Sequence, residues 1–451
     1  MTLPNSTVSF PTRSIRTHWT LCFALAYCLA GFGASLGAQP ALDADYPGGN
    51  IVVTKVEGDT YFLQPDLRGM RPNLWWFYWN FRVREAAGKT LTFRFTERNP
   101  FDFVGPAISR DRGMTWSRMG AALVRAIPDP KAWEFSHTFS SSENEVRFCF
   151  TIPHLESDFR RFLARYRDHA HLAIDELCRT RKGRSVERLR LGKLTGEPRY
   201  RVLLTARHHA CESLAGYELE GIIEAVLAKT DEGRWWRENV EIWAVPFMDK
   251  DGVEDGDQGK QRAPRDHNRD YEGQSVHLEV AALREQVPAW LREKPLFALD
   301  LHCPYLRDNR IYLVGGPNEE IWRNVKRFSA ILESTQQGPI RYQAKHDMPF
   351  GTGWNSLATM QHDPGKPFSR WAAELPGARF AATLEFPYSQ QTVDVSAESS
   401  RIFGHDIARA IRLFLQGDER RVHLGRINAV RLHRSLVSFT SEVHVLLQRS
   451  G

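Results

Sequence analysis

The chain has 451 residues, long enough for two or three domains. A composition of 42% hydrophobic and 25% charged residues is that of a globular protein and excludes a disordered chain, a collagen, a coiled coil and a polytopic membrane protein. Six cysteines in this length exclude a disulfide scaffold, and a formal charge of +6 without a clustered basic stripe gives no reason to expect nucleic acid as a partner.

Residues 1–38 read as a secretory signal peptide. Arg13 and Arg16 precede the apolar run from Trp19 to Gly33, and small residues follow up to Ala38. The run falls short of the roughly 20 residues a membrane span needs. No stable span is therefore expected after cleavage, and the chain is expected in the periplasm or outside the cell. Cleavage leaves 58 Lys and Arg against 54 Asp and Glu, a charge of +4. Cys22 and Cys28 would leave with the segment. Cys149, Cys178, Cys211 and Cys303 remain, with no C-x-x-C pair to suggest a cysteine zinc site. Their spacing leaves any pairing open.

Residues 39–155 read as an all-β sandwich. Ile51–Lys55, Tyr61–Gln64, Leu74–Val83, Leu91–Thr96, Trp133–Phe139 and Val146–Ile152 are aromatic and β-branched runs separated by turn residues. The stretch Ser109-Arg-Asp111-Arg-Gly113-Met-Thr115-Trp116 fits an Asp-box hairpin. In such a turn the Asp braces the backbone, Gly takes the strained position and Trp packs below, so its expected role is structural.

The pattern changes at Ser157, where Phe159, Phe162, Leu163 and Tyr166 take helical spacing beside a solvated arginine face. Strands then alternate with helices. Tyr200–Ala206, Val240–Val245, Leu296–Leu301, Arg310–Val314 and Phe380–Phe386 read as strands, and Glu212–Leu227 and Ser396–Leu415 as helices. This order predicts an α/β/α layered catalytic domain with a mixed central sheet over residues 156–417. Residues 418–451 form a basic tail of no predictable structure.

Chemistry-bearing residues collect at predicted strand ends, where α/β sheets place their sites. The strand ending at Ala206 leads into Arg207-His208-His209-Ala210-Cys211-Glu212. There His209 and Glu212 form an H-x-x-E pair able to converge on one metal ion. The strand from Leu296 ends in His302. Two imidazoles and a carboxylate with one position open make a catalytic zinc set. Between these segments lies Asp266-His267-Asn268-Arg269, whose Asn and Arg are suited to grip a carboxylate. Glu385 ends the last predicted strand and is a candidate general base.

The order H-x-x-E, D-x-N-R, strand-end His, strand-end Glu resembles the zinc carboxypeptidase family. It is most similar to the cytosolic carboxypeptidase branch with its bacterial members, which carry a β-sandwich before the catalytic domain. The family's A-R-x-H-P-G-E stands here as Ala206-Arg207-His208-His209-Ala210-Cys211-Glu212, so both ligands are kept while Pro and Gly are replaced. Gly183-Arg184-Ser185-Val186 resembles the segment before the first catalytic strand, and the likeness covers about residues 45–417.

The resemblance implies one zinc per chain held by His209, Glu212 and His302, with Asp266 orienting the first histidine. It implies that Asn268 and Arg269 bind the terminal carboxylate of a peptide and that Glu385 is the general base. The family's carbonyl-polarising arginine has no clean counterpart, and Lys260 and Arg262 are the nearest basic residues. The implied activity is removal of the C-terminal residue of a peptide. The alternatives are a zinc deacylase of the aspartoacylase-like kind acting on small N-acyl amino acids, and a non-catalytic protein binding glycan or cell wall.

Overall fold

The computed structural model describes residues 39–68, 76–96, 98–128 and 130–417. The predicted signal peptide, the basic tail and the start of the predicted strand Leu74–Val83 lie outside them. Among the described residues no helix is long and apolar enough to cross a membrane.

Strands drawn from Ala41 to Cys149 form two five-stranded sheets. Strand Thr90–Thr96 shows why they pack. Leu91, Phe93 and Phe95 point inward while the intervening Thr92 and Arg94 are more exposed, the period of two that a half-buried strand requires. Phe81 of one sheet meets Phe93 of the other at 5.1 Å between ring centroids, and Phe135 meets Phe148 at 5.3 Å. The sheets thus face each other as a sandwich around an aromatic core. Tilted and edge-on ring pairs of this kind add about 0.5–1.5 kcal/mol each beyond area burial.

The Asp-box turn takes its expected form. Asp111 accepts from the Thr115 amide at 2.9 Å and the Thr115 hydroxyl at 2.6 Å, and Ser109 Oγ accepts from the Gly113 amide at 2.8 Å. Gly113 sits at φ +88°, and the Trp116 indole donates to its carbonyl at 3.2 Å. The side chains of Ser109, Asp111, Thr115 and Trp116 are all spent on the turn itself.

The second layer is a seven-stranded mixed sheet. Its spatial order is Leu172–Arg179, Ser185–Gly192, Val240–Val245, Tyr200–Ala206, Leu296–His302, Ala378–Glu385, Tyr312–Val314. The central four strands are parallel, and the outer ones pair antiparallel. All seven residues of Tyr200–Ala206 and of Leu296–His302 are buried, as a parallel sheet covered on both faces demands.

Phe297 and Phe380 stack at 4.0 Å, and Phe328 of helix Glu319–Thr335 and Phe414 of the helix 397–417 pack on them. Ile242 shares their register row, so its neighbour Trp243 points to the other face. There it stacks at 4.4 Å on Trp290 of helix Leu278–Leu291. Helices cover both faces, which gives the α/β/α layering.

The first two strands of this sheet were not predicted. Leu172–Arg179 and Ser185–Gly192 carry Asp, Glu and Arg between their apolar residues and lack the continuous apolar run of the central strands. The strand expected from Arg310 begins at Tyr312.

Candidate active site

Strand Tyr200–Ala206 has Val240–Val245 on one side and Leu296–His302 on the other, so consecutive connections leave it in opposite directions. The crevice at the carboxyl ends of such strands is where an α/β sheet opens to a ligand, and the ligand turn begins there. Arg207 takes a left-handed conformation, φ +63°, and turns the chain sharply after the strand. Its buried guanidinium donates to the carbonyls of His154 at 2.7 Å and Ala210 at 3.1 Å, fixing the turn on both sides. Gly259 closes it from above. A Cβ there would lie 2.4 Å from the Ala210 amide nitrogen, so only glycine allows this approach of two backbones.

His209, Glu212 and His302 converge. One ligand atom from each lies within 4.8 Å of the others. His209 Nδ1 is 2.9 Å from Glu212 Oε1, and His302 Nδ1 is 2.7 Å from Glu212 Oε2 and 3.2 Å from His209 Nδ1. Each imidazole is held from behind by a carboxylate. His209 Nε2 lies 3.1 Å from Asp266 Oδ2, and His302 Nε2 lies 2.6 Å from Asp300 Oδ2. Both Nε2 atoms therefore donate, which in neutral imidazoles leaves both Nδ1 lone pairs facing the Glu212 carboxylate.

Glu212 is fully buried, and its Oε2 has no hydrogen-bond partner despite the nearby imidazole. With neutral imidazoles, the two Nδ1 atoms and the Glu212 carboxylate, which also accepts from Lys260, surround one position suited to a metal cation. Carboxylate-backed imidazoles with a glutamate are the donor set of a catalytic zinc, so these residues fit the metal that the sequence implies.

Asp300 was not singled out from the sequence, although it is the one charge in the apolar run Leu296-Phe-Ala-Leu-Asp300-Leu301. It joins His302 to His208, whose Nδ1 is 2.8 Å from Asp300 Oδ1, while His208 Nε2 meets the Tyr271 hydroxyl at 2.7 Å. Both nitrogens of His208 are thus satisfied, and it serves as a brace for Asp300.

Asp266 also accepts from the backbone amides of Gln261 at 2.6 Å and Asn268 at 2.7 Å. Burial pushes its carboxyl pKa up, but His209, Arg269 and the Gln261 amide more than reverse that and hold it well below the carboxylate range.

Glu385 sits opposite His302 in the register of neighbouring strands, which brings it to the ligand cluster. It is 7% exposed and its Oε2 has no hydrogen-bond partner. Burial raises its pKa above the ordinary value, opposed by His302 and Lys260. Behind it lies Glu218 of helix Ser213–Leu227, a fully buried carboxyl with neither oxygen hydrogen-bonded. Burial first, then the charge of Glu385, lifts the Glu218 pKa well above normal. The two acids are so placed that ionising one disfavours ionising the other.

The two basic candidates separate. Lys260 reaches the cluster, donating to Glu212 and, at 3.0 Å, to the Cys303 carbonyl. Arg262 does not. Its guanidinium is spent on Asp249 and on Asp257, the latter at 2.7 Å. The oxyanion role considered for Arg262 is therefore withdrawn, because two buried acids hold it elsewhere. Asn268 lies against His302, with Nδ2 3.2 Å from His302 Nε2, and its Oδ1 accepts from the Phe368 amide at 2.9 Å. Arg269 pairs through Nε with Asp363 Oδ2 at 3.1 Å, a partner some ninety residues on that no local pattern announces. The cysteines Cys149, Cys178, Cys211 and Cys303 are unpaired.

The fold has counterparts among solved proteins. The metallo-carboxypeptidase from Burkholderia cenocepacia superposes with a TM-score of 0.70 at 20% identity, over 84% of this chain and 100% of that one. The chain has the metallo-carboxypeptidase fold. The metallo-carboxypeptidase from Pseudomonas aeruginosa, solved in complex with (2-guanidinoethylmercapto)succinic acid, superposes with a TM-score of 0.66 at 19% identity over 83% and 99% of the two chains. By sequence, cytosolic carboxypeptidase 3 of Mus musculus is 25% identical over 262 residues, 51% of this chain and 25% of that protein. An uncharacterized protein of Zymomonas mobilis is 24% identical over 222 residues, 47% of this chain and 54% of that one. The chain spans between a quarter and about half the length of these relatives. No family model matches it.

Proposed function

We propose that this chain is a zinc-dependent metallocarboxypeptidase that releases the C-terminal amino acid of peptides. The observation that carries the proposal is the convergence of two carboxylate-backed imidazoles and Glu212 beside Glu385, at the strand ends of a metallo-carboxypeptidase fold. His209, Glu212 and His302 would hold one zinc. Zinc bound there would acidify a water and polarise the scissile carbonyl. Glu385, deprotonated, takes the proton of the attacking water and passes it to the leaving amine. Glu218, kept neutral by the same burial, adds no second negative charge beside that base. Lys260 supplies positive charge toward the carbonyl oxygen as negative charge develops there. Arg269 and the Asn268 amide nitrogen receive the terminal carboxylate, with Asp363 fixing the guanidinium.

The boundaries that go with this reading are a sandwich domain at 39–155 and a catalytic domain at 156–417. We also propose export, supported by Arg13, Arg16 and the apolar run before Ala38. N-terminal sequencing of the protein from its native host checks it, and a retained Met1 would refute it.

The activity is tested on a blocked dipeptide with a free carboxylate, its C-terminal amide, and an N-acetyl amino acid. Hydrolysis of the first alone is expected, and preference for the N-acetyl amino acid would make the protein a deacylase. Arg269→Ala should raise KM for the free acid and cost more than tenfold in kcat/KM, since a charged contact left unmade costs about 2–5 kcal/mol. Equal cleavage of acid and amide by the unaltered protein would rule out an exopeptidase.

A further inference from the structure

Away from Glu385, a cavity of about 910 Å³ is lined in part by His267, His277 and Glu279. These three offer ligand atoms that all lie within 4.8 Å of one another. His267 is 4% exposed and Glu279 5%, while His277 is half-buried at the cavity wall. The two imidazole rings lie nearly parallel, centroids 3.5 Å apart and 20° between planes.

The ring of His267 lacks the partners a buried imidazole ordinarily finds. Its Nδ1 makes no hydrogen bond and lies 3.8 Å from Asp249 Oδ2, and its Nε2 lies 4.0 Å from Glu279 Oε2, beyond hydrogen-bond reach. Asp249 is already committed, to the Arg262 guanidinium and to the Gly252 amide at 2.9 Å. A buried polar group without a partner costs free energy unless something fills the gap. His277 is arranged differently. Its Nε2 is 2.8 Å from the Arg265 carbonyl, so Nε2 donates and Nδ1 keeps its lone pair. A backbone carbonyl behind one imidazole nitrogen is how proteins aim the other at a metal.

Two imidazoles and one carboxylate suit zinc and neighbouring transition ions. Around a tetrahedral zinc, bonds of about 2.0–2.1 Å set ligand atoms about 3.3 Å apart. Binding there would turn the two rings out of their parallel stack so that a lone pair of each meets one ion, and would close the His267–Glu279 separation of 4.0 Å. The cavity leaves room for water or an outside ligand at the fourth position.

We propose that His267, His277 and Glu279 form a second binding site for a divalent transition metal, zinc in the first instance, separate from the His209–Glu212–His302 centre. An ion there ties the start of helix Leu278–Leu291 to the segment carrying Asp266, Asn268 and Arg269. The site thereby braces the strand of chain that supports the catalytic cluster. The proposal does not depend on the peptidase reading, because it is read out in bound metal and not in turnover.

Equilibrium dialysis of the full chain against zinc, followed by atomic emission, should give two zinc ions per chain. His277→Gln and Glu279→Gln should each give one. The pair His209→Ala with His302→Ala should also retain one, and adding His277→Gln to that pair should remove it. Diffraction at the zinc edge should place an anomalous peak between His267, His277 and Glu279. Should His277→Gln fail to fold by circular dichroism, Glu279→Gln and the anomalous peak carry the decision. A single zinc in the unaltered protein that His277→Gln leaves in place, or two in folded Glu279→Gln, overturns the proposal.

Discussion

Among the described residues, two places bring two imidazoles and a glutamate together, and they are built to different standards. At His209, Glu212 and His302 each imidazole has a carboxylate behind it, and two parallel strands fix the spacing. Asp300 is itself braced by His208 and by the Thr205 hydroxyl at 2.7 Å. At His267, His277 and Glu279 one imidazole has a backbone carbonyl behind it and the other leaves its Nδ1 without a hydrogen bond. The residues come from a 3₁₀ turn and a helix start instead of strand ends. The comparison teaches that a ligand set is only part of a catalytic centre. The first cluster has the buried Glu385 in register with His302 and Lys260 beside Glu212. The buried carboxylate beside the second cluster, Asp249, is already spent on Arg262 and the Gly252 amide, so metal there is expected to hold the chain and not to hydrolyse a substrate.

The most severe way to break the comparison is to remove one ligand. His302→Ala leaves two protein ligands at the first cluster and should abolish both its metal and its activity, while the metal of the second cluster stays. Zinc content and dipeptide turnover measured on one preparation check this. A variant that still turned over peptides normally would show that the metal is held by other residues.

Next in size is Glu385→Gln, which preserves shape and removes the proton acceptor. General-base loss costs about 10²–10⁴-fold in rate. Metal content at both clusters should be unchanged, so the loss should fall on kcat at full occupancy. Near-normal kcat would move the base role to another carboxylate.

How far the sequence announced these two places follows from where their partners lie. The ligand turn was legible because His209 and Glu212 are three residues apart after an apolar strand, and His302 and Glu385 end strands of the same kind. The sandwich was legible because residues such as Leu91, Phe93 and Phe95 alternate. Asp300 was visible as a charge inside an apolar strand, but a strand-end acid looks the same whether it backs a ligand or meets solvent. Asp363 and Glu218 were hidden, since only folding brings them to Arg269 and Glu385. The cluster at His267 was hidden for the same reason, its three residues spread over a loop and a helix start with no metal-ligand spacing. Arg262 was misplaced because proximity in sequence to Lys260 says nothing of which acids the fold sets beside it.

The backing carboxylate gives a third, smaller effect. Asp300→Asn keeps the shape behind His302 Nε2 and removes the charge that orients it. Loss of such a partner typically costs 10–100-fold in metal affinity or activity, so zinc affinity at the first cluster should fall by about that factor. The second cluster, which does not use Asp300, should bind as before. Competitive chelator titration of both sites separates the two, and equal weakening of both would mean that the variant loosens the whole fold.

The smallest expected effect is on pH dependence, and it tests the lysine that only the first cluster has. The acid limb of kcat/KM reports the group that must lose a proton in the unliganded enzyme, here Glu385. Burial raises its pKa above the ordinary carboxylate value, and the charge of Lys260 works in the opposite direction. Lys260→Met removes that charge, so the pKa of Glu385 should rise further and the acid limb should move to higher pH. Activity is then lost first at the acid end, on top of a pH-independent fall in rate from the positive charge no longer offered to the carbonyl oxygen. Lys260 also touches Glu212, so the profile is measured at saturating zinc, where metal loss cannot imitate the shift. A limb that stays in place, or moves to lower pH, would show that the titrating group is not Glu385 under the influence of Lys260.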